Sequence, residues 1–110
     1  MPGEELSPQQ RHALTQLSIN QQQLQVLIAQ RQQLELQLKE IELALEELEK
    51  EKEEYVYKAI GPALVRKKRE EVIKDLKEAK EKLEMRIKTI KSSEKKLTEK
   101  IKELSKKLKG

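Results

Sequence analysis

Apolar residues recur along this chain at alternating steps of three and four. From residue 13 the steps give Ala13, Leu17, Asn20, Leu24, Leu27, Arg31, Leu34, Leu38, Ile41, Leu45, Leu48, Lys52 and Tyr55, of which ten of thirteen are apolar or aromatic. The repeat returns after a gap as Ile73, Leu76, Lys80, Leu83, Ile87, Ile90, Glu94, Leu97, Ile101, Leu104 and Leu108, nine of eleven apolar. A mean spacing of about 3.5 residues sustained over many heptads predicts two long helices, each with one narrow apolar seam. Asn20, Arg31 and Lys52 are the polar interruptions of the first seam; polar seam residues fix register or partner choice at some cost in stability.

The first helix is expected over residues 8–54, with residues 1–7 loose before it. Ser7 suits the N-cap, Pro8 the first helical position and Gln10 the reciprocal half of a capping box. At about 1.5 Å per residue this helix is roughly 70 Å long. The second is expected over residues 69–108. It lacks a good N-cap residue, but Glu70 and Glu71 suit its positive end, and Lys106, Lys107 and Lys109 its negative end.

Between the helices the period changes from 3.5 to 2. Residues 55–67 hold both aromatic residues, Tyr55 and Tyr57, and the Gly61-Pro62 pair. Two short β-prone runs, residues 55–59 and 63–67, flank that turn signal, which predicts a β-hairpin. Its alternating side chains leave no polar face: Val56 and Ile60 point one way, and Tyr55, Tyr57 and Ala59 the other. A lone two-stranded hairpin is marginal in water, and its open edges invite another chain. The hairpin is therefore expected to assemble subunits rather than merely to join two helices.

Composition agrees with a seam rather than a wide core. The 110 residues contain no Phe, Trp or Cys, and 40% are charged. Without Cys there are no disulfides or thiolate metal sites, as suits a cytoplasmic chain. Neither a membrane-spanning run nor a signal-peptide pattern is evident. The net charge of +4 divides unevenly: residues 1–55 carry 5 Lys/Arg against 11 Asp/Glu, and residues 56–110 carry 19 against 9. Oppositely charged halves favour a chain that folds back on itself, with Glu49 opposite Lys77 and Glu35 opposite Lys91, although the same register sets Glu42 against Glu84. The expected fold is mainly α: a single domain over residues 1–110, built as a long antiparallel two-helix coiled coil with the hairpin between the helices.

At the hairpin the sequence resembles a known family. Val56-Tyr57-Lys58, then Ile60-Gly61-Pro62, then Leu64-Val65, set between two long heptad helices, is similar to the β-type subunits of the archaeal-like prefoldin family. The likeness covers nearly the whole chain, and the hairpin is its specific part. A single Gly-Pro hairpin in a chain of this length suits the β type, since the α type carries a second. The resemblance implies an ATP-independent chaperone, a hexamer of two α-type and four β-type subunits. In it, hairpins join an intersubunit β-barrel, and the far tips of the coiled coils hold non-native proteins for a group II chaperonin. Assembly then falls to Tyr55, Val56, Tyr57, Ile60, Gly61, Pro62, Leu64 and Val65.

With the hairpin as hub, the free end of the coil combines both termini. Client contact is then expected from Leu6, Leu14, Leu17, Ile19, Val26, Ile28, Leu104 and Leu108. Ile19, Val26 and Ile28 stand outside the seam, and the seam residues become available where the ends fray. Scattered exposed aliphatic residues are common and often serve no function, so that reading stays open beside the first. Leu36 and Leu43, also off the seam, suit contact with a neighbouring subunit. All eleven Gln fall between Gln9 and Gln37; they make either a neutral, adaptable surface toward clients or a plain solvated face.

No catalytic constellation, cofactor motif or metal site is found. His12 is the only His, with no Cys or Asp nearby, and no Gly-rich phosphate loop exists. The basic second helix lacks aromatic residues for stacking bases, which weighs against nucleic acid. The seam uses up the apolar face that a membrane surface would need. The reading that competes with the chaperone is a structural or scaffolding coiled coil with no client.

Overall fold

The computed structural model describes residues 5–109 in the order α1 (Pro8–Lys50), β1 (Tyr55–Ile60), β2 (Ala63–Lys68) and α2 (Arg69–Lys109). The capping box forms as expected. The Ser7 amide donates to Gln10 Oε1 at 2.9 Å, and the Gln10 amide donates to Ser7 Oγ at 3.1 Å. Two of the orphan donors at the helix start are thereby satisfied. Residues 1–4, part of the segment expected to be loose, lie outside the described residues.

Every seam position from Ala13 to Leu48 and from Ile73 to Leu108 is buried or half-buried. The repeat thus gives the correct face of both helices. The first helix, however, ends at Lys50 rather than at residue 54. The segment from Glu51 to Glu54 would add three more carboxylates to the negative end of the helix dipole, which is unfavourable. One late carbonyl, that of Leu48, accepts a hydrogen bond from Arg69 Nη1 at 3.0 Å. Lys52 and Tyr55 are consequently exposed and take no part in the seam.

β1 and β2 pair antiparallel, with Ile60 opposite Ala63 and Tyr55 opposite Lys68. Two residues, Gly61 and Pro62, make the turn. Gly61 has φ +55°, and Pro62 is confined to negative φ. Type I′ needs positive φ at both positions, so the pair fits type II′, whose twist matches the strands. At the strand ends the Arg69 amide donates to the Glu54 carbonyl at 2.9 Å. Arg69 therefore ties the base of the hairpin with its backbone and the end of α1 with its side chain, which explains how α2 begins without an N-cap residue.

The chain groups into two compact units. One combines Met1–Gln32 with Lys88–Gly110, and the other is Gln33–Ile87. We call them the terminal unit and the hairpin unit. In the terminal unit the buried residues are Ala13, Asn20 and Leu104; in the hairpin unit they are Leu34, Leu45, Leu83 and Ile87.

Candidate functional site: an exposed hairpin and a neutral groove

In the hairpin unit the sheet is almost wholly exposed. Leu64 keeps 71% of its surface, Tyr57 70% and Ile60 50%; only Val56 and Lys67 are half-buried. Register sets the two faces. Tyr55, Tyr57 and Ala59 share one with Leu64 and Arg66, while Val56 and Ile60 share the other with Val65. Both faces thus carry large apolar groups, as the alternation predicts. Arg66 lies 3.9 Å above the Tyr55 ring, a cation–π contact worth about 0.5–1 kcal/mol at an exposed site. Beside β1 a groove of about 550 Å³ is lined by Val56 and Ala59 together with Ala44, Leu48, Val72 and Leu76. Leu36 and Leu43 are both exposed on α1, one heptad apart.

The terminal unit is built differently. On α1, no Asp, Glu, Lys or Arg occurs between Arg11 and Arg31. Ile19 and Val26 are exposed there. They line a groove of about 540 Å³ with Leu27, Leu97 and the amide side chains of Gln22, Gln23 and Gln30. A second groove of about 520 Å³ includes His12, Gln16, Leu104, Lys100 and Lys107. Within the seam Arg31 Nε donates to Glu94 Oε2 at 2.7 Å, with side chains 23% and 14% exposed. Asn20 is 4% exposed, and its Nδ2 has no hydrogen-bond partner.

Of the residues expected at the tip, the first groove brings Ile19 and Val26 together, and the second takes Leu104. Leu104 is buried, Leu17, Ile28 and Leu108 are half-buried, and Leu6 and Leu14 are exposed but line neither groove. Ile28 is shielded, contrary to the expectation that its position faces water. Sequence reasoning passed over Met85, which is 70% exposed on α2, and Arg69. An apolar residue off the seam was signal enough for Met85. Nothing local marks Arg69, because its partners lie in α1 and in the segment before β1. Among the described residues, no cluster of His, Asp or Glu could hold a metal ion, and no helix is long and apolar enough to cross a membrane.

Two long helices joined by an exposed β-hairpin define the fold class of the chain. The family description "Prefoldin subunit" matches residues 11–110. The chain is 50% identical over 83 residues to a prefoldin subunit beta of Archaeoglobus fulgidus, covering 74% of this chain and 72% of that one. It is also similar to the crystal structure of the prefoldin beta subunit from Thermococcus strain KS-1. That likeness has a TM-score of 0.87 and 38% identity, and covers 96% of this chain and 93% of the other. The chain belongs to the prefoldin subunit family, and its likeness is to β-type subunits, the type expected from its single hairpin. Members of that family are chaperones and not enzymes.

Proposed function

We propose that this chain is a subunit of an ATP-independent holdase of the cytoplasm. Its hairpin joins it to other subunits, two α-type chains with four β-type chains, in an intersubunit β-barrel. Its terminal unit holds non-native proteins and presents them to a group II chaperonin. The observation that carries the reading is the groove of Ile19, Val26 and Leu97, which leaves apolar surface open beside a wall of uncharged amides. Apolar surface grips exposed core residues of many sequences, and amides can donate to or accept from a peptide backbone without charge preference. The exposed Tyr57, Ile60 and Leu64 support assembly, because a hairpin this open gains stability only by pairing.

The test mixes the chain with an α-type partner and follows mass and aggregation together. A hexamer should form, and without ATP it should suppress aggregation of a chemically unfolded protein. Ile60→Asp should abolish the hexamer while leaving the helices formed. Ile19→Ser with Val26→Ser should keep the hexamer and weaken suppression. A hexamer that suppresses nothing at any ratio would leave the scaffolding coiled coil standing instead.

A further inference from the structure

The two grooves of the terminal unit share one side of its helices. Among the α1 residues that line them, Gln9, His12, Gln16, Ile19, Gln23, Val26 and Gln30 recur at alternating steps of three and four. Such residues lie in one stripe along a helix. Each of those from His12 onward stands one position before a seam residue, so the stripe borders the seam along its length. On α2 the lining residues are Leu97, Lys100, Leu104 and Lys107, again three and four apart. The grooves thus follow one another as a trough between the two helices. From Gln9 to Gln30 it runs roughly 30 Å at 1.5 Å per residue, room for about nine residues of extended chain.

The two walls differ in charge. The α1 wall offers aliphatic groups, amides and one imidazole, and no formal charge. The α2 wall sets two ammonium groups beside the Leu97 and Leu104 side chains. Glu103 is the helical neighbour of both Lys100 and Lys107, yet among the described residues it forms a salt bridge with neither. The surrounding unit is strongly cationic: it holds 11 Lys/Arg and 5 Asp/Glu, a net of +6. A segment carrying Lys or Arg meets repulsion here. One carrying carboxylates gains Coulomb attraction while its apolar side chains reach Ile19, Val26 and Leu97.

We propose that this trough selects, among non-native polypeptides, segments in which apolar residues are interspersed with Asp or Glu. This rests on the holdase reading and adds a chemical preference to it: the apolar floor provides grip, and Lys100 and Lys107 provide discrimination. Electrostatic complementarity of exposed groups typically sets selectivity more than total affinity, so the preference is moderate. Two exposed pairs correspond to roughly a fivefold difference in binding at low salt. A nucleic acid would also be drawn to the lysines, but the aliphatic floor offers it no stacking surface.

The experiment uses the assembled complex and two labelled unfolded peptides with the same apolar residues, one interspersed with Glu and the other with Lys. The Glu peptide should bind about fivefold tighter at low ionic strength, and the gap should close near 0.5 M salt, where screening reaches within roughly 4 Å. Lys100→Glu with Lys107→Glu should reverse the order without changing mass or helicity. Ile19→Ser with Val26→Ser should weaken both peptides alike. Equal binding of the two peptides, or a gap that survives the double charge reversal, overturns the charge selection and leaves the holdase intact. Binding of neither peptide, together with no suppression of aggregation, removes the holdase reading as well. An oligonucleotide that competes as strongly as the Glu peptide, and is indifferent to the Ile19 and Val26 changes, makes the trough a general polyanion site and overturns the proposal.

Discussion

The terminal unit and the hairpin unit are built on one heptad repeat and use it for different ends. The hairpin unit buries Leu34, Leu45, Leu83 and Ile87, all large aliphatic side chains. The terminal unit buries Ala13, Asn20 and Leu104, so two of its three most shielded seam positions are small or polar. The charges diverge as well. The hairpin unit holds 13 Lys/Arg against 15 Asp/Glu, a net of −2, where the terminal unit is at +6. A seam of large aliphatic residues removes more apolar area from water per turn, at about 25 cal/mol per Å². Stability is therefore concentrated in the unit that carries the hairpin. The other unit keeps a thinner seam, and its grooves are walled on α1 by uncharged side chains, which suits contact with partners of varied shape.

One pair of substitutions separates the two seams most sharply. Leu83 and Leu104 are each 9% exposed, so Leu→Ala removes the same atoms from equally shielded sites. Leu83→Ala truncates a buried seam leucine and should cost about 3 kcal/mol. Leu104 borders a groove, where water and the Lys100 and Lys107 side chains can move in, so Leu104→Ala should cost about 2 kcal/mol, the low end of the same range. Urea unfolding followed by far-ultraviolet circular dichroism reads both. Equal costs would mean that the two seams are equally tight and that the contrast between the units is only one of charge.

A second prediction concerns the ion pair inside the terminal seam. Arg31 and Glu94 are mostly shielded and meet at 2.7 Å. Removing Arg31 takes this partner from a shielded Glu94 carboxylate, so Arg31→Met alone should cost about 2 kcal/mol, below the figure for fully buried pairs because both keep some solvent, and Glu94→Met should cost less, because Arg31 keeps a further contact. The double change to Met should cost less than about 1 kcal/mol, since apolar residues of similar length fill the same seam. A thermodynamic cycle over the four proteins checks this. A coupling energy near zero would place the pair among ordinary surface contacts. The pair also opposes slippage, because a shift of one heptad sets each charge against an aliphatic residue.

That pair shows how far the sequence could be read. Arg31 and Glu94 stood out as breaks in two separate repeats, and their partnership depended on the relative register of the helices, which neither repeat fixes alone. Heptad spacing, the capping box and the Gly61-Pro62 turn are local signals, and each was legible because its physics closes within a few residues. Lys52 continues the repeat in sequence, yet the seam ends four residues earlier, where the guanidinium of Arg69, distant in sequence, takes a helix-end carbonyl. The candidate site was legible in part. Ile19 and Val26 were visible as aliphatic residues off the seam, but the trough needs α2 beside them. Lys100 and Lys107 were indistinguishable from the other lysines until their place on its rim was known.

Asn20 gives the subtlest test of the contrast between the units. Its side chain is buried and its Nδ2 lacks an acceptor. A buried donor left unpaired costs about 1–3 kcal/mol. Leu has nearly the same length and adds apolar area to the seam. Asn20→Leu should therefore stabilise the chain by about 1 kcal/mol, and amide hydrogen exchange should slow in the terminal unit while the hairpin unit stays unchanged. The polar residue would then be a device that keeps this seam loose or in register at a cost in stability, as single seam asparagines do elsewhere. A destabilised Asn20→Leu protein would point the other way. It would mean that the amide is satisfied by water within the seam, and that the terminal unit is thin because of Ala13 and its half-buried leucines alone.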